Sequence, residues 1–448
     1  MQYEDDLIDY IATINSRSLP ADVELKTRMH LLDTLSAFVS GAFLPPGDIA
    51  YKFAESLGGP PEATLIGTDK KVSVCNAALA NGMSGHADET DDSHIWGRWH
   101  PGCGVIPPVL ALAERDGASS KQILNAIALG YDIGTRCLLS LGYTSAATQP
   151  FSTHTMGTMF GGGAAAAAML DLTAEQVSVM LSFAAQQASG LMYWNRDPDH
   201  IEKAFVFGGK GARDGMYAAL IAKAGMTSPT HALTCKRGFV DSFAQDARPQ
   251  ELSHELGERF EISRSTLKKW CVGSPIQSVL DAFEAILAEN KITNDDIAGI
   301  HLTMPSDRLH VVDGRDIPTI CVQHLAAMMI VQGTVSFVEA HKDELMDDPD
   351  IQAVRAKITA TPSDELAEAK PVRQAIVEIT LNNGEKLRHH TKAVHGTPDR
   401  PMNADDLAAK ARDILTPYIP KTAEDLIDLC LNRDTFDVKE LVALCKAK

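Results

Sequence analysis

One stretch restricts the fold more than any other: Asn81-Gly82-Met83-Ser84-Gly85-His86-Ala87-Asp88-Glu89-Thr90-Asp91-Asp92-Ser93-His94, with His100-Pro101-Gly102 close behind. Ionised groups taken out of water need partners, so a run this dense in carboxylates and imidazoles is either a solvated loop or a built site. Its flanks favour the site. Ala77-Ala78-Leu79-Ala80 precedes it and Val105-Ile106-Pro107-Pro108-Val109-Leu110-Ala111-Leu112 follows, which places the polar segment between two buried elements. Three explanations stand at this point. The run is a solvated charged loop, a metal site supplied by His86, Asp88, Asp91 and His94, or an acid–base site in which carboxylates fix the tautomers of histidines. The spacing matches none of the tight zinc signatures.

At 448 residues the chain is long enough for two domains. Its hydrophobic share of 45% and charged share of 22% are those of an ordinary globular protein, which argues against disorder. A formal charge of −18 argues against nucleic acid as a partner, since that needs a basic face. It also means that an anionic substrate requires a local cationic pocket on an acidic body. The acidic start, Tyr3-Glu4-Asp5-Asp6, lacks a signal-peptide pattern. No apolar run approaches the ~20 residues that span a bilayer, so no membrane association is expected. Eight cysteines are scattered with no C-x-x-C pair, as in reduced cytosolic proteins. A cytoplasmic location is the expectation.

The first half reads as successive helices. Leu25, Met29, Leu32, Leu35 and Val39 recur at three and four, between Pro20 and Gly41. Ile123, Ile127 and Tyr131 repeat the pattern after Ser119-Ser120, and Thr173 with Gln176 has capping-box form. Gly161 to Gly163 and the alanines through 168 offer no side-chain chemistry and read as a close helix–helix contact. Near residue 266 the character changes. Ser274-Pro275 opens a helix carrying Ile276, Val279, Leu280, Phe283, Ile286 and Leu287. Strand signals follow at 300–304, 356–361 and 376–381, the last turned by Asn382-Asn383-Gly384 into 385–392. After Pro398 and Pro401 helical spacing returns. The fold class expected is mainly α with an α+β part. Residues 1–265 and 398–448 form a large helical domain, and residues 266–397 form a smaller α+β lid inserted into it. Clefts between domains favour sites.

Other candidates are scattered. His154 sits among the hydroxyls of Ser152, Thr153, Thr155 and Thr158, where a lone histidine is more often structural. Lys203 adjoins the apolar run Ala204-Phe205-Val206-Phe207. It either snorkels, the common case, or is desolvated and poised as a base or anion anchor. Gly208-Gly209-Lys210-Gly211 fails as a phosphate loop, because Gly211 stands where a hydroxyl is required. Lys268 and His324 fall toward the domain boundary and the start of a methionine-containing helix.

Together these segments resemble the MmgE/PrpD family, which includes 2-methylcitrate dehydratase, cis-aconitate decarboxylase and iminodisuccinate epimerase. The resemblance covers nearly the whole chain. It runs through Leu32-Asp33-Thr34-Leu35, Asn81-Gly82, His86-Ala87, Asp91-Asp92-Ser93, His100-Pro101, His154, Lys203 with Ala212-Arg213-Asp214-Gly215, and Lys268 before Trp270. It implies a homodimer and catalysis without metal or organic cofactor. It carries over His154, His100, His324, Lys203 and Lys268 as catalytic residues, and Glu89 and Ser93 as orienting or substrate-binding ones. Asp91, Arg213 and His86 join the second group by their chemistry and position. Two motifs depart from the family pattern. Glu89-Thr90 stands where Asp and an aromatic are usual, and His324 ends Cys321-Val322-Gln323-His324 where Tyr is usual. The second change and the 202–209 segment look more like the epimerase branch.

Such enzymes remove a proton from carbon next to a carboxylate, and cations must stabilise the resulting enolate. Lys203, Lys268 and Arg213 suit that duty and the grip on a small polyanion. Epimerisation also needs two acid–base groups flanking the carbon, for which His154 is set against His100 or His324, with a lysine as the alternative member. The expected reaction is inversion in iminodisuccinate. The alternatives are dehydration of 2-methylcitrate or decarboxylation of cis-aconitate, and, from another class, a metal-dependent hydrolase built on His86 to His94.

Overall fold

The computed structural model describes residues 2–143 and 149–447. The chain divides into two compact units, Met1–Ser265 with Tyr418–Lys448, and Thr266–Pro417. The fold is mainly α with a smaller α+β part, as the periodicities require. Among the described residues no helix is long and apolar enough to cross a membrane.

The first unit is built from helices α1 (Ala21–Gly41), α2 (Val74–Gly85), α3 (Pro101–Asp116), α4 (Ser120–Leu139), α5 (Thr153–Met169), α6 (Ala174–Gln187) and α7 (Lys210–Lys223). In α1 the apolar positions Met29, Leu32, Leu35 and Val39 are buried, whereas Leu25 faces solvent at 43% exposure. From Thr27 to the end this helix is buried on every face, so its polar residues His30, Asp33 and Thr34 are also internal. The Ser119 side chain caps α4 by accepting from the Gln122 N–H. Thr173 and Gln176 form the reciprocal capping box of α6, at 3.3 and 3.1 Å.

The run of small residues in α5 allows backbones to touch. A Cβ on Gly161 would lie 2.6 Å from the carbonyl oxygen of Gly130 in α4, and one on Gly104 in α3 would lie 2.2 Å from Thr158 Cβ. Ala164 to Ala168 are buried throughout. With α5 pressed against both neighbours, the start of α3, and with it His100, is held in a fixed place.

In the second unit, α8 (Gln277–Glu289) packs on a sheet of β1 (Ile297–Pro305), β2 (Ile358–Ser363), β3 (Ala375–Leu381) and β4 (Lys386–Thr391), in the order β2-β1-β3-β4. The β3–β4 hairpin is antiparallel and turns at Gly384, whose φ of +87° needs glycine. The β1–β2 pair is parallel. Its crossover includes α9 (Val322–Gln332), which contributes Leu325, Ala326, Ala327, Met328 and Met329 to the core beneath the sheet. Residues 398–417, assigned from sequence to the helical part, count with this unit instead. The reason is local: Asp413 in helix α10 (Ala404–Leu415) accepts from the Phe337 N–H at 2.7 Å.

The tight α3–α5 contact predicts that Gly104→Ala lowers stability by about 1–3 kcal/mol, the usual cost of overpacking. Urea denaturation reads this, and an unchanged midpoint would contradict the close approach.

Candidate active site

The 81–94 segment folds inward. His86, Asp88, Glu89, Asp91, Asp92, Ser93 and His94 are all buried, so the solvated-loop reading fails. The reason is visible in the pairing, since most of these groups have found a partner.

Asp91 and Asp92 point to different sets of partners. Asp91 binds the Nδ1 atoms of two imidazoles, that of His86 at 2.9 Å with one oxygen and that of His100 at 3.0 Å with the other. Asp92 accepts from the Tyr131 hydroxyl (2.6 Å) and the Gly102 N–H (3.0 Å), and lies 2.6 Å from His30 Nδ1. The Gly102 bond ties the loop to the first turn of α3, next to His100. A neutral imidazole that donates Nδ1–H to a carboxylate keeps its lone pair on Nε2, and His86 is neutral through burial. His86 Nε2 is buried without a hydrogen-bond partner.

Phe207 is the hub around which the imidazoles gather. It lies in a π-helical turn, Phe205–Gly209, between the short helix Ile201–Ala204 and α7. Its ring stacks on His154 at 3.6 Å between centroids and contacts His86 (4.5 Å) and His100 (5.4 Å). His86 and His100 meet edge to face at 4.7 Å, and His100 lies 5.6 Å from His154. Gly208 explains why this turn comes so close: its Cβ would fall 2.0 Å from the Gly82 carbonyl oxygen of α2. The glycines after Phe207 are thus packing glycines.

Lys203 completes the cluster. Its ammonium is paired with Glu89 and lies over the rings of Phe207 (5.2 Å) and Trp194 (5.8 Å). The lysine is half-buried and its ammonium is engaged by the Glu89 carboxylate.

Burial sets the protonation states. It pulls the His86 imidazole down to about 4, with Asp91 opposing and His100 and Lys203 assisting. His154 is lowered well below its ordinary value by burial, then by His100, His86 and Lys203. Burial alone would raise the Asp91 carboxyl, yet the His100 and His86 rings outweigh it and hold that group well below the usual carboxylate range. The result is a buried carboxylate beside the His86 and His154 imidazoles, which burial keeps neutral.

Several other expected residues have partners of their own. Arg213 is half exposed and forks onto Asp214 at 2.7 and 2.9 Å, and Asp214 also takes Lys210. His94 is turned away from His86: its Nε2 faces Glu261 at 3.0 Å and its Nδ1 accepts from the Gly97 N–H. Asp88 binds the backbone and hydroxyl of Thr90. The proposed metal set of His86, Asp88, Asp91 and His94 is therefore not assembled. The groups of three ligand-type side chains among the described residues are His86, Asp91 and Cys103, and His86, Glu89 and His200. The Ser93 hydroxyl is buried with no hydrogen-bond partner. Lys268 and His324 belong to the second unit and both are buried. Burial, with Arg355 adding, brings His324 down to about 4.

Sequence reasoning missed His200, Trp194 and Phe207. The only available signal was the Asp197-Pro198-Asp199-His200 turn just ahead of Lys203, since aromatic residues in an apolar run read as core.

A stability test follows from His86. Its folded value near 4 lies below the ordinary ~6.5 of histidine, so between those pH values the unfolded chain binds more protons and stability falls as pH drops. Asp132, whose carboxyl burial pushes up to about 7, acts in the opposite sense over about pH 4–7. The comparison is accordingly between proteins: from pH 7 to 4.5 the wild type should lose more stability than His86→Gln, read by urea titration at each pH.

The MmgE/PrpD N-terminal domain matches residues 5–252, and the MmgE/PrpD C-terminal domain matches residues 270–433. A cis-aconitate decarboxylase-like protein, oryM of Aspergillus oryzae, is 23% identical over 485 residues, covering 98% of this chain and 96% of that protein. Matched along nearly its whole length by both domains, the chain belongs to the MmgE/PrpD family.

Proposed function

We propose that this protein transfers a proton at a carbon next to a carboxylate of a small polycarboxylate, and that the outcome is epimerisation of the iminodisuccinate type. The observation that carries the reading is the Asp91 carboxylate shared by His86 and His100, beside the neutral, half-buried His154. A proton on such a carbon is very weakly acidic. The step needs an unprotonated base held in place and cations near the carboxylate that becomes an enolate.

The imidazoles provide the bases. Asp91 fixes the His100 ring through Nδ1 and leaves Nε2 to accept a proton, and its negative charge stabilises the imidazolium that forms. His154 acts on the opposite side of the carbon, with His324 or a lysine as the other candidate partner. Lys203 neutralises charge developing on the substrate carboxylate. The aromatic rings around it exclude water and strengthen that interaction. Lys268 is assigned to the grip on a remote carboxylate, with Ser93 and Glu89 orienting.

A second reading is decarboxylation of cis-aconitate, favoured by the printed name of the Aspergillus oryzae relative. Loss of carbon dioxide leaves a carbanion that must be protonated, so that reaction calls for an acid. The lowered values of His86 and His154 keep both deprotonated near neutral pH, which suits a reaction that begins with proton removal.

Incubation with iminodisuccinate stereoisomers in D₂O, followed by NMR, separates the two. Stereoisomer interconversion with deuterium at the α-carbon is expected. Turnover of cis-aconitate with no exchange into iminodisuccinate would favour the decarboxylase. His154→Ala should lower kcat by about 10²–10⁴-fold, the usual share of acid–base catalysis, with an unchanged circular dichroism melt. Lys268→Ala should mainly raise KM; a loss confined to kcat would make Lys268 an acid–base group instead of an anchor.

A further inference from the structure

We infer that His86, Glu89 and His200 form a binding site for a divalent transition-metal ion of the zinc type, which competes with Lys203 for the Glu89 carboxylate. One ligand atom of each of the three residues lies within 4.8 Å of those of the other two. The two imidazoles face each other with ring centroids 5.2 Å apart. His86 is fully buried, and both its Nε2 and that of His200 lack a hydrogen-bond partner. Buried polar atoms are nearly always satisfied, so an unpartnered nitrogen on each of two adjoining imidazoles beside a carboxylate points to a ligand.

The donor set selects the ion. Two neutral imidazoles and one carboxylate suit zinc and its neighbours, whereas calcium and magnesium prefer all-oxygen cages. Asp91 behind His86 supplies the outer carboxylate that fixes the tautomer of a metal-binding histidine and raises its basicity. Three protein ligands leave a position open for solvent. The other triad, His86 with Asp91 and Cys103, is less suited: both Asp91 oxygens already serve imidazoles, and the Cys103 thiol donates to the His100 carbonyl at 3.3 Å.

The ammonium of Lys203 engages the same Glu89 carboxylate. A dication and an ammonium on one carboxylate repel each other, so binding one displaces the other. Zinc should therefore inhibit turnover. That consequence rests on the proton-transfer reading above; the site itself does not.

The test uses the full chain, titrated with Zn²⁺ by calorimetry and with Co²⁺ by visible absorption. One ion per chain is expected, with Co²⁺ giving the intense bands of a four- or five-coordinate nitrogen and oxygen site. His200→Ala and Glu89→Gln should each weaken binding at least tenfold. Lys203→Met should tighten it several-fold by removing the competing cation, a gain that a misfolded variant does not give. No stoichiometric binding would overturn the proposal, as would an affinity unchanged by both ligand substitutions. These readouts need no substrate, so failure of the polycarboxylate assays and failure of the metal site are told apart.

Discussion

A single carboxylate, Asp91, held between His86 and His100, fixes the arrangement of the buried polar cluster. In water a carboxylate and an imidazole attract only weakly, but inside the helical unit the pair is shielded and the attraction grows. That gain offsets the cost of bringing charge into the interior. Asp92 is the structural counterpart. By gathering Tyr131, His30 and the Gly102 backbone it anchors the loop from behind, leaving its neighbour free to orient two rings. Two adjacent residues of one type thus divide anchoring of the loop from orientation of the rings.

The aromatic surroundings of Lys203 belong to the same design. A cation over Phe207 and Trp194 and against Glu89 is stabilised without being surrounded by solvent. Phe207 also lowers the freedom of His154 by stacking, so the imidazole and the Lys203 ammonium share one hydrophobic wall. Few polar groups set in an apolar frame are the usual composition of a small-molecule site.

How much of this was legible in the sequence depended on range. Local rules worked: the caps at Ser119 and Thr173, the Asn-Gly hairpin and the small-residue packing of α5 all follow from neighbours a few positions apart. The polar run was recognisable as internal because of its apolar flanks. What spacing could not tell was which acid meets which histidine. His94, twelve residues beyond Gly82 in the same run, finds its partner at Glu261, far along the chain. Arg213 stands in a run shared with the family yet is taken by its own neighbour, Asp214. The end of the inserted unit was placed early because helical spacing says nothing about which core a helix joins, and the contact between Phe337 and Asp413 decides that for α10.

The π-helical turn at Phe205–Gly209 carries one more residue than an ordinary helical turn. Loss of one codon there would restore regular helix and rotate everything before it by about 100° relative to α7. Lys203 would swing away from Glu89 and Phe207 from the imidazoles, while the packed helices behind them kept their places. The extra residue thus sets the angle at which Lys203 and Phe207 are presented over the packed helices.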